Sequence, residues 1–389
     1  MQAASLKEEE MKILHTADWH LGRTFHGQPL LDDQQVVLDE LIRVAKDARV
    51  DAVVMAGDVY DRALPPTEAV NLLDEVLQRL VRDVQVPVLL IAGNHDNPAR
   101  LDFGRRLFET NRLYITGQPG AAVAPIRLED AWGPVWFAPL PYCEPLLATE
   151  LSGTRQHTHE EALRWQAGQM LARIPARERK VALSHAFVTG AAVTPESERT
   201  LAAGGAEQVS LSCYGAFDYA ALGHLHARQH CGGKAAYSGS LMKYSFSEVH
   251  QKKGIILAEL DKDGQVALED VPLTAPRELD IVRGSFADLL ATPDPAKVDN
   301  YLQVTLTDTE PVLDAKNRLE QVYHHVLQIQ YGQLAPRPEE TEEAGRRGKT
   351  DRELFEQFFR DVNGGDMSEK ERQVLTATLE ELAREGRNA

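Results

Sequence analysis

Eight side chains able to bind a metal or move a proton recur in short blocks: Asp18 and His20, Asp58, Asn94 with His95, His185, and His224 with His226. Each block closes a run rich in Val, Ile, Leu and Ala, namely KILHTAD (12–18), DAVVMAGD (51–58), VPVLLIAGNHD (86–96), KVALSHAF (180–187) and YAALGHLH (219–226). Taken singly, an Asp or His at a strand end is ordinarily a cap or turn residue. Taken together they are harder to dismiss, because gathering carboxylates and imidazoles costs several kcal/mol per unpaired charge unless cations compensate. Carboxylate, amide carbonyl and imidazole without thiolate form a borderline-hard donor set, suited to Mn²⁺ and next to Fe or Zn. Two ions roughly 3.5–4 Å apart, bridged by a carboxylate, would employ all the ligand candidates and leave room for water. Such a pair lowers the pKa of a bridging water and stabilises in-line attack on phosphorus, so the pattern points to phosphoester hydrolysis.

The elements that must position these groups are legible in the same runs. Short apolar stretches alternate with amphipathic ones at about 33–48 and 67–82, the latter with Thr67 as its expected N-cap after Pro65 and Pro66, giving a βαβαβ opening. Open α/β sheets place ligands beyond the carboxyl ends of their strands, where these side chains fall. AAYSGSL (235–241), KGIILAEL (253–260) and QVALEDVPL (265–273) are expected to be antiparallel strands. The fold class expected is α/β (α+β), with mixed central sheets flanked by helices over residues 12–275. A small αβ capping domain over 276–334 should follow, with helices near 285–291 and 311–325 and strands at 300–308 and 326–332. Residues 1–11 read as an unstructured extension, 335–350 as a charged linker and 351–389 as a helix pair that opens its second helix with the capping box Ser368-Glu369-Lys370-Glu371.

Composition bounds the function. With 389 residues the chain is long enough for two or three domains, and 43% hydrophobic against 26% charged residues is ordinary globular usage. No stretch approaches the ~20 apolar residues of a membrane span, so no membrane partner is expected. The opening MQAASLKEEE has no apolar core of a secretory signal, which points to the cytoplasm. A net charge of −17 should repel nucleic acid overall, but two divalent ions outweigh Asp18 and Asp58 and would leave the pocket locally positive. Three cysteines, Cys143, Cys213 and Cys231, form no CxxC pair and are read as buried free thiols in a reducing compartment.

The blocks ADWHLG (17–22), AGDVYD (56–61), AGNHD (92–96), SH (184–185) and GHLH (223–226) resemble, in sequence and order, the calcineurin-like metallophosphoesterases. The opening MKILHTADWHLGRTF (11–25), the small lobe and the C-terminal helices are most similar to the SbcD family, nuclease subunits that pair with the SMC-like ATPase SbcC. The likeness covers about residues 11–385. It implies one manganese on Asp18, His20, Asp58 and His226 and a second on Asp58, Asn94, His185 and His224, with Asp58 as the bridge. His95 would assist at the leaving oxygen, a contribution of typically about 10²–10⁴-fold. The resemblance also implies DNA as substrate, 3′-to-5′ double-strand exonuclease and single-strand endonuclease activity, and roles in DNA repair, replication and recombination. By the same likeness the C-terminal helices would grip SbcC, and the helices near 67–82 and 97–112 would form a homodimer within a heterotetramer. Asp61 stands where some relatives carry a DNA-binding histidine, and an anion cannot do that work, so it stays outside the catalytic set.

Other candidates read as structural. Asp96 suits either orienting His95 through a ring N–H or capping its turn. His15 points away from Asp18 on its strand and is expected in the core; His157, His159, His230, His250, His324 and His325 have no motif around them and are taken as surface or packing residues. Tyr244 and Phe246 are expected to be core rather than base-stacking. Gly348-Lys349-Thr350 mimics the end of a phosphate-binding loop, but Glu343 stands where the first glycine belongs, so ATP binding falls to a partner. Two other functions fit the pattern: a small-molecule or cyclic-nucleotide phosphodiesterase or phosphatase, and a mainly architectural DNA-clamping subunit of an SMC-like ATPase.

Overall fold

Several strands of this protein have no polar face. β1 (Met11–Thr16), β2 (Ala52–Ala56) and β3 (Val88–Ile91) are buried almost throughout, so apolar cover is needed on both sides of their sheet. The computed structural model describes residues 10–120, 122–194 and 207–332, together with Glu356, Met367, Ser368, Arg372, Val374 and Leu375. Residues 1–9, the expected linker at 335–350 and most of the expected helix pair at 351–389 lie outside the described residues.

In chain order, β1 is followed by α1 (Leu31–Asp47), β2, α2 (Thr67–Gln78), β3 and β4 (Leu113–Thr116). Next come β5 (Ile126–Asp130), β6 (Gly133–Leu140), α3 (Pro145–Ser152), α4 (His159–Leu171), β7 (Arg179–His185) and β8 (Tyr219–Gly223). The remainder comprises β9 (Gln229–His230), β10 (Ala235–Tyr237), β11 (Gly254–Leu260), β12 (Val266–Pro272), β13 (Leu279–Gly284), α5 (Phe286–Ala291), β14 (Tyr301–Leu306), α6 (Ala315–Leu319) and β15 (His325–Tyr331). Two six-stranded sheets result, in the orders β12-β11-β1-β2-β3-β4 and β9-β10-β8-β7-β6-β5, with a three-stranded sheet β13-β14-β15. Strands β1 to β4 run parallel, as do β6, β7, β8 and β10, while the hairpins β11–β12 and β5–β6 supply antiparallel pairs.

One set of alternate residues from each large sheet interleaves between them: Ile13, Val54 and Leu89 from one, Phe137, Val181, Leu183 and Tyr219 from the other. The opposite face of the first sheet is covered by α1 and α2 through Val37, Leu38, Leu41, Leu72 and Val76, and that of the second by α4 through Leu163, Ala167 and Met170. Each buried aliphatic side chain contributes about 1.5–3 kcal/mol. Asp33 on α1 is buried and accepts from Tyr301 Oη at 2.8 Å and from the Arg277 guanidinium, which fastens the helix to the first strands of the small lobe. The described residues divide into two compact units. The larger runs to Arg283 and adds Ala287–Thr305 and Asp314–Gln330; the smaller holds Gly284–Phe286, Leu306–Leu313 and the described residues from Tyr331 onward.

Some elements differ from the sequence reading. Within 235–241 only Ala235–Tyr237 is a strand, and it pairs parallel to β8 in the second sheet. Gly239, at φ +74°, turns the chain beside the His226 carbonyl, where a Cβ would come within 2.6 Å. Thr67 is the first residue of α2, with Pro66 at the cap and no side-chain capping bond, and the helix widens to a π-type turn over Arg79–Val84. The stretch 97–112 breaks at Gly104 into Pro98–Leu101 and Arg105–Phe108, because that glycine takes φ +74°. The helix expected at 311–325 is confined to Ala315–Leu319, preceded by Asp314 in the left-handed region at φ 53°. Cys143 and Cys213 are buried, but Cys231 is only half-buried in the loop after β9.

Candidate metal centre

The parallel strands of both large sheets end at one edge, and the eight singled-out residues occupy that edge. Asp18 and His20 follow β1, Asp58 follows β2, Asn94 and His95 follow β3, His185 ends β7, and His224 and His226 follow β8. Gly223 lets the two sheets meet there, since a Cβ on it would lie 2.0 Å from the Ala56 carbonyl oxygen. Gly57 likewise leaves space for the His185 ring, whose Nδ1 a Cβ would approach to 2.4 Å.

Main-chain bonds lace the loops together. Asp18 N–H donates to Gly57 O and His20 N–H to Asp58 O, both at 3.0 Å. Asp18, His20 and Asp58 all hold left-handed φ near 50°, and His224 lies at 108°, so four of these residues carry backbone strain. The His224 N–H donates to both Asp18 carboxylate oxygens at 2.9 and 3.2 Å, and the His95 N–H to Asp58 Oδ1 at 2.8 Å. Gln34 on α1 is fully buried beneath the first loop: its amide nitrogen donates to the His20 carbonyl at 2.9 Å, and its oxygen accepts from Gly22 N–H at 3.1 Å.

Two triads have ligand atoms within 4.8 Å of one another: His20, Asp58 and His95, and Asp18, Asp58 and His185. Asp58 belongs to both. On one side, His20 Nε2 stands 3.1 Å from His226 Nε2 and 3.7 Å from Asp58 Oδ2. On the other, His185 Nε2 lies 2.9 Å from Asn94 Oδ1 and 3.5 Å from Asp58 Oδ2, and His224 Nδ1 lies 3.1 Å from the same Asn94 oxygen. The structure therefore brings together every residue of the expected ligand set, with His95 beside it, its ring 4.7 Å from that of His20.

Protonation tests whether these residues suit a cation. Burial drives the His185 imidazole below its ordinary pKa, outweighing the charge of Asp58, and drives His20 well below it, helped by His226 and His95; His224 falls to about 3, again chiefly through burial. A neutral His185 must donate Nδ1–H to the Ala56 carbonyl at 2.9 Å, which leaves a lone pair on Nε2. That lone pair faces the Asn94 oxygen and the Asp58 carboxylate, three acceptors without a proton among them. His20 Nδ1 is in addition buried without a hydrogen-bond partner. Acceptors converging in this way are stabilised by cations, so the donor set fits divalent metal ions. Asp58 is held below the ordinary carboxylate range: burial opposes ionisation, but His185 and His95 prevail.

Around the ligands the structure decides between readings that the sequence left open. His95 Nδ1 pairs with the Asp61 carbonyl at 2.8 Å, so main chain, not Asp96, orients this ring. Asp96 is the turn cap instead, accepting from Val59, Tyr60 and Gly93 N–H at 3.1, 2.9 and 2.9 Å. The Asp61 carboxylate is engaged by Arg23 at 3.0 Å. His15 is a satisfied core residue, bonded to Tyr219 Oη at 2.8 Å and to the Leu222 carbonyl at 3.1 Å; Tyr244 and Phe246 are also buried.

Three features escaped the sequence reading. His159 is no isolated surface residue: with Tyr142, whose hydroxyl lies 3.2 Å from its Nε2 and donates to Glu144 at 2.7 Å, it lines a cavity of about 190 Å³ that opens onto Asn94, His185 and His224. Gln34 carries no motif at all. Glu248, wholly buried, lies 3.1 Å from His226 Nδ1 and 2.5 Å from Lys253; burial raises its carboxyl, but Lys253 and the His226 bond together hold it far below the ordinary range. No local pattern in the sequence pointed to the last, because its histidine partner stands 22 residues away.

Comparison with known proteins adds the following. The calcineurin-like phosphoesterase family matches residues 11–228, and the family described as type 5 capsule protein repressor C-terminal domain matches residues 275–363. The SbcD subunit of the nuclease SbcCD from Staphylococcus epidermidis is 32% identical over 362 residues, which cover 92% of this chain and 95% of that protein. Among solved structures, a dimetal phosphatase from Danio rerio is 16% identical with a TM-score of 0.42, covering 69% of this chain and 100% of its own. A protein from Thermus thermophilus is 15% identical with a TM-score of 0.38, covering 67% of this chain and 99% of its own. No described helix is long and apolar enough to cross a membrane.

Proposed function

Because the chain belongs to the calcineurin-like phosphoesterase family, and within it to the SbcD nuclease subunits, we propose that it is a Mn²⁺-dependent DNA nuclease subunit that hydrolyses phosphodiesters at a two-metal centre. The observation that carries this reading is the convergence of unprotonated acceptors from His185, Asn94 and Asp58, with Asp58 common to both triads. Asp18, His20, Asp58 and His226 would hold one ion, and Asp58, Asn94, His185 and His224 the other. When bound, such ions lower the pKa of water and neutralise phosphate charge in the transition state.

The protein's own groups do the rest. Asp58, fixed by the His95 N–H, keeps the two ligand sets in register. His95 has Nδ1 committed to the Asp61 carbonyl, so only its Nε2 can exchange a proton with a substrate oxygen, the role of a general acid at the leaving group. Neutral histidines are the binding form for metal, and burial holds them neutral without a local base.

The same membership supports the wider reading: 3′-to-5′ double-strand exonuclease and single-strand endonuclease activity in DNA repair, replication and recombination, in the cytoplasm, with SbcC bound through residues 351–389. In this reading 12–275 is the nuclease domain and 276–334 the lobe that shapes DNA access. Homodimerisation within a heterotetramer is supported by an exposed apolar patch on the segments between β2 and β4, where Leu64, Phe103 and Leu107 are 64%, 82% and 74% exposed beside Val70 and Phe108.

The test is incubation of the purified chain with end-labelled duplex and single-stranded DNA and with a small chromogenic phosphodiester, in Mn²⁺, Mg²⁺ or EDTA, beside Asp58→Asn. Mn²⁺-dependent DNA degradation that disappears in the variant is expected. Turnover of the small ester with DNA left intact, alone and with the ATPase partner added, would overturn the nuclease reading in favour of a small-molecule phosphodiesterase.

A further inference from the structure

The two sides of the centre are supported by chemically different groups. His185 is oriented by a neutral main-chain carbonyl, that of Ala56. His226 is oriented by a carboxylate: Glu248 Oε1 lies 3.1 Å from its Nδ1, and neither side chain reaches solvent appreciably. Glu248 sits in the short 3₁₀ turn Phe246–Glu248 that Ser245 caps, so its placement is set by main chain. Its other oxygen, Oε2, takes Lys253 Nζ at 2.5 Å and the Tyr244 N–H at 3.2 Å. The Lys253 ammonium, with three N–H to share, also lies 2.8 Å from the His226 carbonyl, 2.9 Å from Ser240 Oγ and 2.7 Å from Gln251 Oε1. One buried ion pair thus grips both the ring and the main chain of a single histidine.

We propose that Glu248 is a positioning residue for the centre: paired with Lys253 and set 3.1 Å from His226 Nδ1, its carboxylate accepts the Nδ1–H and so turns the Nε2 edge of the ring toward the ion shared with His20. This rests on the two-metal reading above. A carboxylate can only accept, so Nδ1 carries a proton, and in the form of the ring that binds metal the lone pair then lies on Nε2, the atom that faces His20 Nε2 at 3.1 Å. Anionic partners of ligating histidines fix ring orientation and raise ligand basicity, and their loss typically weakens metal binding by about 10–100-fold. Folding alone does not call for the pair, since a buried ion pair replaced by apolar groups of similar size is often neutral or stabilising.

That contrast designs the experiment. Glu248→Leu combined with Lys253→Met removes both charges and leaves no unpaired ion, and Glu248→Gln keeps an acceptor without the charge. Thermal unfolding establishes that each variant is folded; calorimetric titration with MnCl₂ then reads the metal alone, without DNA or turnover. The double variant is expected to melt close to the parent and to lose roughly 10–100-fold in affinity at one of the two ion sites, with Glu248→Gln in between. A folded double variant with both affinities unchanged overturns the proposal. Should the double variant not fold, ¹⁵N spectra of histidine-labelled parent protein in EDTA decide: His226 protonated at Nδ1 supports the assignment, and protonation at Nε2 alone overturns it. A parent that binds no Mn²⁺ would sink the two-metal reading itself, whereas the tautomer would still report on Glu248.

Discussion

Replacing Gln34 with leucine should damage the metal centre from a helix that contributes no ligand. The side chain is fully buried beneath the loop that carries His20: its amide bonds the Trp19 and His20 carbonyls at 3.0 and 2.9 Å and accepts from Gly22 N–H at 3.1 Å. Leucine preserves the volume but removes every bond. The Trp19 carbonyl keeps the Tyr244 hydroxyl and the His20 carbonyl keeps the Arg23 N–H at 3.1 Å, so the Gly22 N–H is the main-chain group that loses its partner. At about 1–3 kcal/mol for the unsatisfied Gly22 N–H and about 0.5–1.5 kcal/mol for the bond lost at the His20 carbonyl, less about 1 kcal/mol gained by apolar burial, the net destabilisation is about 0.5–3.5 kcal/mol. His20 already holds a strained φ of 47°, so relaxation of the loop should withdraw its imidazole from Asp58 as well. Urea unfolding in EDTA measures the first effect, and Mn²⁺ titration the second, where a loss of about tenfold or more is expected. Glu at the same position retains the acceptor for Gly22 and should fall between. A leucine variant within about 0.5 kcal/mol of the parent, with unaltered Mn²⁺ affinity, would refute the claim that Gln34 holds this loop.

Buried His15, pushed down to about 3 chiefly by desolvation, stays neutral in the folded chain while the unfolded chain takes up protons near 6.5. The stability tied to its neutral form is therefore complete above pH 6.5 and is lost as pH falls toward 3; relative to His15→Gln, the parent should lose about 2 kcal/mol between pH 7 and 5, read by urea titration at each pH. Equal losses in both proteins would contradict this. Gly223→Ala drives a methyl group to 2.0 Å from the Ala56 carbonyl oxygen where the two sheets meet, so it should cost more than about 2 kcal/mol by the same titration and abolish Mn²⁺ binding. Phe103→Glu on the exposed patch should shift light-scattering mass from two chains to one without altering Mn²⁺ affinity, and a parent that is monomeric at every concentration would remove the basis for the dimer.

The gathering of the eight residues was legible in the sequence because each follows an apolar run, and parallel strands deliver their carboxyl ends to one edge. The same logic carried β1, α1, β2, α2 and β3 to within a few residues. It missed the hairpin β5–β6 and helices α3 and α4, whose residues 126–171 carry weak apolar periodicity; α4, for instance, opens with His159-Glu160-Glu161. Pairing partners were also out of reach: β10 resembles a strand of a meander, yet joins β8 in parallel, because the chain between them first runs back through β9, which pairs antiparallel with β10. Side chains that orient the ligands were the least visible. Gln34, Glu248 and Lys253 matter through contacts across 14 to 27 residues of chain, which spacing within a motif does not record. Asp96 stood next to His95 and invited a pairing that the fold gives to the Asp61 carbonyl instead.

The central claim is that Asp58 lies between two metal ions. Crystals grown with MnCl₂ and measured at the manganese absorption edge test it directly. The account predicts two anomalous peaks, one on either side of the Asp58 carboxylate, the first beside His20 and His226 and the second beside Asn94, His185 and His224. A single peak at saturating Mn²⁺, or two peaks neither of which touches Asp58, would contradict it.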